Sequence, residues 1–176
     1  MSTIVATNIQ SDTIKHSGGT TAQTIDSTGR ILTPARPAFR AFIPSNLPSA
    51  NYTTGGTHQI TFTSESYDIG GNYDTGNGKF IVPITGLYHF HVNFYVSSVT
   101  TAEYTSVYLF VGTNEVSRTI NDPQGGEYGI TVLTDVLQLT AGQEVTVHFS
   151  IGNDTAVTIH GQANGAISYF SGYLIG

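Results

Sequence analysis

Between residues 79 and 96 the chain reads KFIVPITGLYHFHVNFYV, and apolar and polar positions alternate along it. Phe80-Ile81-Val82 is a short apolar run stopped by Pro83, which cannot donate to a sheet ladder and so marks a strand end or an edge. Thr85-Gly86 supplies a turn, and the pattern then predicts a long strand over residues 87–96. One face carries Tyr88, Phe90, Val92, Phe94 and Val96, an apolar set expected to look into a core. The opposite face carries Leu87, His89, His91, Asn93 and Tyr95, side chains suited to water or to another subunit.

Shorter versions of the pattern fill the chain from residue 38 onward. Residues 38–43 predict the first strand, and residues 58–63 alternate Ile60 and Phe62 against Gln59, Thr61 and Thr63. Residues 64–78, rich in Gly, Asp and Asn, read as turns. Further strands are predicted over 103–111, 116–120, 128–139, 145–150, 156–160 and 167–175. Asn121-Asp122-Pro123-Gln124-Gly125-Gly126 is the strongest turn signal among them. About eight to ten short strands with no competing helical period predict an all-β antiparallel sandwich or jelly roll.

Residues 1–33 differ. STIVATNIQ, DTIKHSGG and QTIDSTGRI are three β-prone pieces, and none has enough apolar surface for its own core. They read either as a disordered leader or as an extended arm that orders on pairing with another chain. The recurrence of Thr3-Ile4, Thr13-Ile14 and Thr24-Ile25 favours the arm. Thr33-Pro34-Ala35-Arg36-Pro37 predicts a stiff, extended joint. The expected organisation is an arm (1–33), a joint (34–37) and a head (38–176).

Composition narrows the function classes. Charged residues make up only 10% of the chain, so its sheets need other cover, and burial in an oligomer is one form of it. A net charge of −6 with six Lys and Arg argues against a nucleic-acid footprint. The absence of cysteine removes disulfide and thiol chemistry. No apolar run approaches the ~18 residues of a membrane span. The first residues lack a basic segment followed by an apolar one, so no Sec-type signal is expected and the mature chain is expected to begin at or near Met1.

Candidate chemistry is sparse. His89 and His91 share one strand face and could hold a metal, but no carboxylate or cysteine lies nearby in sequence to complete a site. They read better as polar residues lining a subunit interface. Asp68 and Asp74 sit with Asn72 and Asn77 in a glycine-rich loop and are the calcium candidates. Their spacing does not match a dedicated calcium loop, and turn formation explains them, so no cofactor is expected. No nucleophile elbow, zincin motif, P-loop or distinctive carboxylate pair occurs, and no enzymatic activity is expected.

One set of residues resembles a known family. Phe39, Gly71-x-Tyr73-Asp74 and Gly78-x-Phe80-x-x-Pro83-x-x-Gly86-x-Tyr88-x-Phe90 are followed by Leu137-x-Leu139-x-x-Gly142-x-x-Val145-x-Val147 and the closing Phe170-Ser171-Gly172-Tyr173-Leu174. In order and spacing these resemble the C1q/tumour-necrosis-factor-like jelly-roll domain, in its C1q version, from about residue 37 to the end. The resemblance implies a ten-strand jelly roll that forms a compact homotrimer used for binding. Two features depart from the family pattern. There is no Gly-X-Y stalk, and Val82 stands where a core cysteine is frequent. The resemblance also implies that the organising and closing strands face the trimer axis. Phe39, His89, His91, Tyr95, Tyr169, Tyr173 and Ile175 are therefore the expected subunit-interface residues.

The leader has a resemblance of its own. Asn8-Ile9-Gln10, His16-Ser17-Gly18-Gly19-Thr20 and Thr24-Ile25-Asp26-Ser27-Thr28-Gly29-Arg30 are similar to N-terminal segments of fibre-like virion proteins of tailed bacteriophages. That implies a protein on the outside of a virion, docked on other virion proteins through Ile4, Ile9, Ile14, Ile25 and Ile31. The head would be displayed for adhesion to host-surface glycan or protein through loops 45–57, 97–101, 121–128 and 161–165. The leader is short for a long fibre, so a short tail appendage or tip is expected. The alternatives are a trimeric capsid decoration or cement protein that stabilises the shell, and a secreted C1q-like lectin, which the missing signal segment disfavours.

Overall fold

The chain divides after Arg36, into Met1–Arg36 and Pro37–Gly176. The structure, a computed structural model, describes residues 11–47, 56–97, 104–122, 128–152 and 157–176. In the first unit β1 (Thr13–Lys15), β2 (Thr21–Ile25) and β3 (Ile31–Leu32) form a three-stranded antiparallel sheet. The expected extended arm is corrected here, because the segment pairs with itself. Its sequence motifs are the hairpin turns. His16 N donates to Thr20 O at 2.8 Å, and Asp26 Oδ1 accepts from Thr28 N, Thr28 Oγ1 and Arg30 N. Asp26 Oδ2 also holds Arg30 Nε at 2.7 Å. The hydrogen bond from the Thr28 side chain, followed by those from Arg30, lowers the Asp26 pKa to about 2. The joint is corrected as well. Arg36 N donates to Thr33 O at 3.0 Å, so 33–36 is a turn, with Pro34 at its second position.

The second unit is a sandwich of two antiparallel sheets. In one, β12 (Tyr128–Leu139), β9 (Gly86–Ser97), β15 (Tyr169–Leu174), β4 (Ala38–Phe42) and β6 (Ser64–Ile69) lie side by side. Short β14 (Thr158–Ile159) pairs with the end of β9. In the other the order is β11 (Asn114–Asn121), β10 (Thr105–Val111), β13 (Glu144–Ile151), β8 (Lys79–Ile81) and β7 (Tyr73–Asp74), with β5 (His58–Gln59) on β13. Among the described residues each sheet thus holds six strand segments, several of them two residues long, where ten strands were expected.

The period-two reading of β9 holds. Tyr88, Phe90, Val92, Phe94 and Val96 are fully buried. The rings of Tyr88, Phe90 and Phe94 meet Phe80, Phe149 and Phe170 at centroid distances of 5.5 to 5.8 Å, within the range of favourable aromatic pairs. Burial of each such ring contributes about 1.5–3 kcal/mol. Gly172 closes the packing, since a Cβ there would sit 2.6 Å from Phe90 Cδ1 and 2.9 Å from Phe39 Cε1. A buried pair, Thr105 Oγ1 and Thr131 Oγ1 at 2.6 Å, links the two sheets.

Several strand expectations change. Residues 64–69, read as turns, are edge strand β6, paired with β4. Of residues 58–63 only His58–Gln59 is strand, although Ile60 and Phe62 are buried as expected. The closing strand is shorter, at Tyr169–Leu174.

Candidate functional site: the outward face of the β9 sheet

The residues opposite the core on β12, β9, β15 and β4 form one continuous face. Strand register places Val136, His89, Tyr173, Ala38 and Ile69 in a row across the sheet, with Thr134, His91, Ser171, Arg40 and Tyr67 in the next. Ile130 pairs with Tyr95, and Tyr128 with Ser97, at one end. Arg40 is the only Lys, Arg, Asp or Glu among the outward positions of those four strands, all of which are described. Large apolar side chains lie open there, including Ile130 at 57% exposed, Tyr128 at 49%, Val136 at 47% and Tyr173 at 46%.

Rings organise this face. Tyr95 stacks on Tyr128 with centroids 5.5 Å apart and planes 4° from parallel, and His160 closes on Tyr95 at 5.2 Å. His160 Nε2 lies 2.7 Å from Ser97 Oγ. A depression of about 320 Å³ opens among Tyr95, Tyr128, Gly129 and Ile130. His91 stacks on Tyr169 at 5.5 Å, and the Tyr169 hydroxyl lies 3.2 Å from His91 Nε2. Arg40 covers Tyr169 at 4.1 Å, a cation–π contact, while Nη2 donates to Gly165 O and Nη1 to Ser66 Oγ. His89 sits against Tyr173 at 5.1 Å and hydrogen-bonds Thr134 Oγ1 at 3.0 Å. Asn93 Nδ2 donates to Ile167 O. These contacts hold bulky side chains in place on the isolated protomer, so covering them would cost little further side-chain entropy.

Burial, helped by neighbouring His89, holds the His91 pKa below its usual value. The neutral form of His91 is thereby favoured.

Five of the seven expected interface residues, His89, His91, Tyr95, Tyr169 and Tyr173, belong to this side of the sheet, and exposed Ile175 lies just beyond the end of β15. Phe39 does not belong to it. Its ring is 0% exposed and stacks in the core on Tyr73 at 5.1 Å and Phe80 at 4.7 Å. The sequence Ala38-Phe39-Arg40-Ala41-Phe42 has apolar residues on both faces, and register turns Phe39 inward with Gly172 and Phe90. Tyr128, Ile130, Val132 and Val136 were missed as face residues, and the alternation along 128–139 carried that signal.

Of the docking isoleucines, Ile14, Ile25 and Ile31 are exposed in the first unit, while Ile4 and Ile9 lie outside the described residues. Asp74 is engaged in its own turn, accepting from Gly76 N, Asn77 N and Asn77 Nδ2. Asp68 Oδ2 accepts from Tyr73 N at 2.9 Å. Among the described residues no three His, Asp or Glu come together as metal ligands. Of the expected adhesive loops, 161–165 is described, with Gly161 N donating to Asn46 Oδ1. Loops 45–57, 97–101 and 121–128 fall largely outside the described residues.

Comparisons with known proteins agree with this architecture. The globular domain of zebrafish complement 1qA superposes with a TM-score of 0.57 at 14% identity, covering 80% of this chain and 98% of that one. Murine APRIL superposes with a TM-score of 0.56 at 12% identity, covering 80% and 99%. At such identity the likeness concerns the fold. A search of curated proteins finds no match. The model of the C1q domain matches residues 38–175, nearly the whole second unit, and the chain belongs to the C1q domain family.

Proposed function

We propose that this chain is a non-catalytic homotrimer whose heads associate through the outward face of the β9 sheet. The observation carrying this reading is the face itself, with exposed Ile130, Val136, Tyr128 and Tyr173 and a single charged side chain, Arg40, among its outward positions. Contiguous apolar surface of this kind, rich in tyrosine and poor in charge, has the composition of an interface core. Membership of the C1q family, whose domains are generally non-enzymatic binding modules, supports the same reading.

Within it, the protein is a virion structural component, a short tail appendage or tip. Its first unit docks on the particle and its head is displayed for host-surface adhesion, where three joined sites gain avidity. The leader's resemblance to virion segments supports this, together with the exposed Ile14, Ile25 and Ile31. Gold-labelled antibody against residues 37–176, imaged on purified particles, tests it. Label at the tail is expected. Label over the capsid would make the protein a shell decoration, and no label would remove the virion role. A chain beginning at Pro37 should still trimerise but no longer attach.

A further inference from the structure

The opposite sheet carries a different surface. On its outward side, Tyr104 and Tyr108 separate two adjoining depressions. One, of about 350 Å³, is lined by Ser106, Arg118, Ile120 and Asp122 beside the two tyrosines. The other, of about 230 Å³, is lined by Gly56, Thr57, Ser150 and Ile151 with the same tyrosines. Together they form a trough with an aromatic pair at its middle. Its larger half alone falls within the range of small-ligand clefts.

The trough is held in shape from below. The Tyr104 ring lies against Gly152, where a Cβ would come within 2.3 Å of Cε1, so glycine is what lets the ring settle there. Tyr104 nonetheless remains 45% exposed. Tyr108 is nearly buried, with its hydroxyl 2.8 Å from Ser150 Oγ. The Arg118 guanidinium stands over the Tyr108 ring at 5.5 Å, and its Nε is fixed by Glu115 Oε1 at 3.1 Å. Burial would raise the Tyr108 pKa, but the hydrogen bond with Ser150 and the neighbouring polar groups of Ser106 and Arg118 outweigh it and lower the value. The phenol is thus set in a polar network rather than an apolar pocket.

We propose that this trough binds a neutral oligosaccharide. An open tyrosine face matches the C–H face of a pyranose ring. Fixed hydroxyl, guanidinium and carboxylate groups around it match the alternating donors and acceptors of sugar hydroxyls. Two depressions flanking one aromatic pair suit more than one sugar unit. An anionic ligand fits poorly, because Arg118 is already paired with Glu115 and Asp122 adds a carboxylate to the lining. The site lies within one protomer, and it rests on the proposed display role only for its biological use.

The test is an NMR titration of the full chain with glucose, galactose, mannose and N-acetylglucosamine and their short oligomers, with inorganic phosphate as the anionic probe. Shifts concentrated at Tyr104, Tyr108, Arg118 and Ile120 are expected for a sugar and its oligomer, not for phosphate. Tyr104→Ala should weaken binding about tenfold, the scale of one aromatic contact, while Tyr104→Phe should retain it. Silence with every sugar, a Tyr104→Ala variant that binds unchanged, or shifts with phosphate alone would overturn the proposal. The mass of the same sample separates the two readings. A trimer that binds no sugar contradicts only the trough, and a monomer that binds sugar contradicts only the association.

Discussion

The two outward faces of the head share one scaffold and differ in chemistry. On the β9 sheet the large exposed side chains include Ile130, Val132, Val136, Tyr128 and Tyr173, with histidines set between them. On the β10 sheet, ion pairs stand in the open beside exposed Ile81, Val116 and Ile120, with Lys79 Nζ 2.8 Å from Glu144 Oε2 and Arg118 Nε 3.1 Å from Glu115 Oε1. Both faces back onto the same aromatic core, so stability of the sandwich does not require the difference. A protein surface costs little when charged and wet, whereas an apolar sheet face is kept only where something covers it. On the proposed reading, one sheet meets a second copy and the other stays in solvent.

Placing a charge on the first face should have the largest effect. Tyr173→Asp, at 46% exposure, should leave the protomer folded but bury an unpaired carboxylate in each interface, at a cost of about 3–5 kcal/mol. The expected result is a monomer by light scattering, while Arg118→Asp on the other face leaves assembly intact. Phe39→Ala should come next and act differently. Loss of a core ring costs about 3–5 kcal/mol of protomer stability. Thermal melting should therefore drop even in the Tyr173→Asp background, where no interface remains to be lost.

Acidification should weaken both faces by a smaller amount. Burial is the chief cause that lowers the pKa of His91 on one face and of His148 on the other. Each folded-state pKa is below the unfolded value, so the unfolded chain binds more protons. Stability is then complete above about pH 6.5 and is lost as pH falls through that value toward the folded pKa. Denaturant titrations across this range should show the loss, and His91→Gln should remove part of it. If His91 is covered on assembly, its share grows with protein concentration, and that of His148 does not. Smallest of all, Glu144→Gln breaks an exposed pair with Lys79 and should change stability by about 0–1 kcal/mol.

How much of this was legible in the sequence varies with the kind of signal. The β9 alternation specified a core face and an outward face, because period two admits no other arrangement once one face is apolar. SESYDI was not legible as strand β6, because an edge strand with mostly exposed residues carries no alternation to read. Phe39 was placed on the wrong side, because β4 is apolar on both faces and only its register with β15 decides. The leader reads as short strands between glycine turns that pair with another chain, because no piece carries a core of its own and its local hydrogen bonds are not visible in the sequence. The hydrogen bonds that the Asp26 carboxylate accepts from Thr28 and Arg30 instead fold the strands back. The trough could not be read at all, since Tyr108 and Arg118 meet only through the pairing of β10 with β11.

The mass of the full chain in solution, measured by light scattering or sedimentation at micromolar concentration, tests the difference between the two faces most directly. A trimer that Tyr173→Asp dissociates and Arg118→Asp does not is the expected result. A wild-type monomer, or a trimer indifferent to Tyr173→Asp and broken by Arg118→Asp, would contradict it.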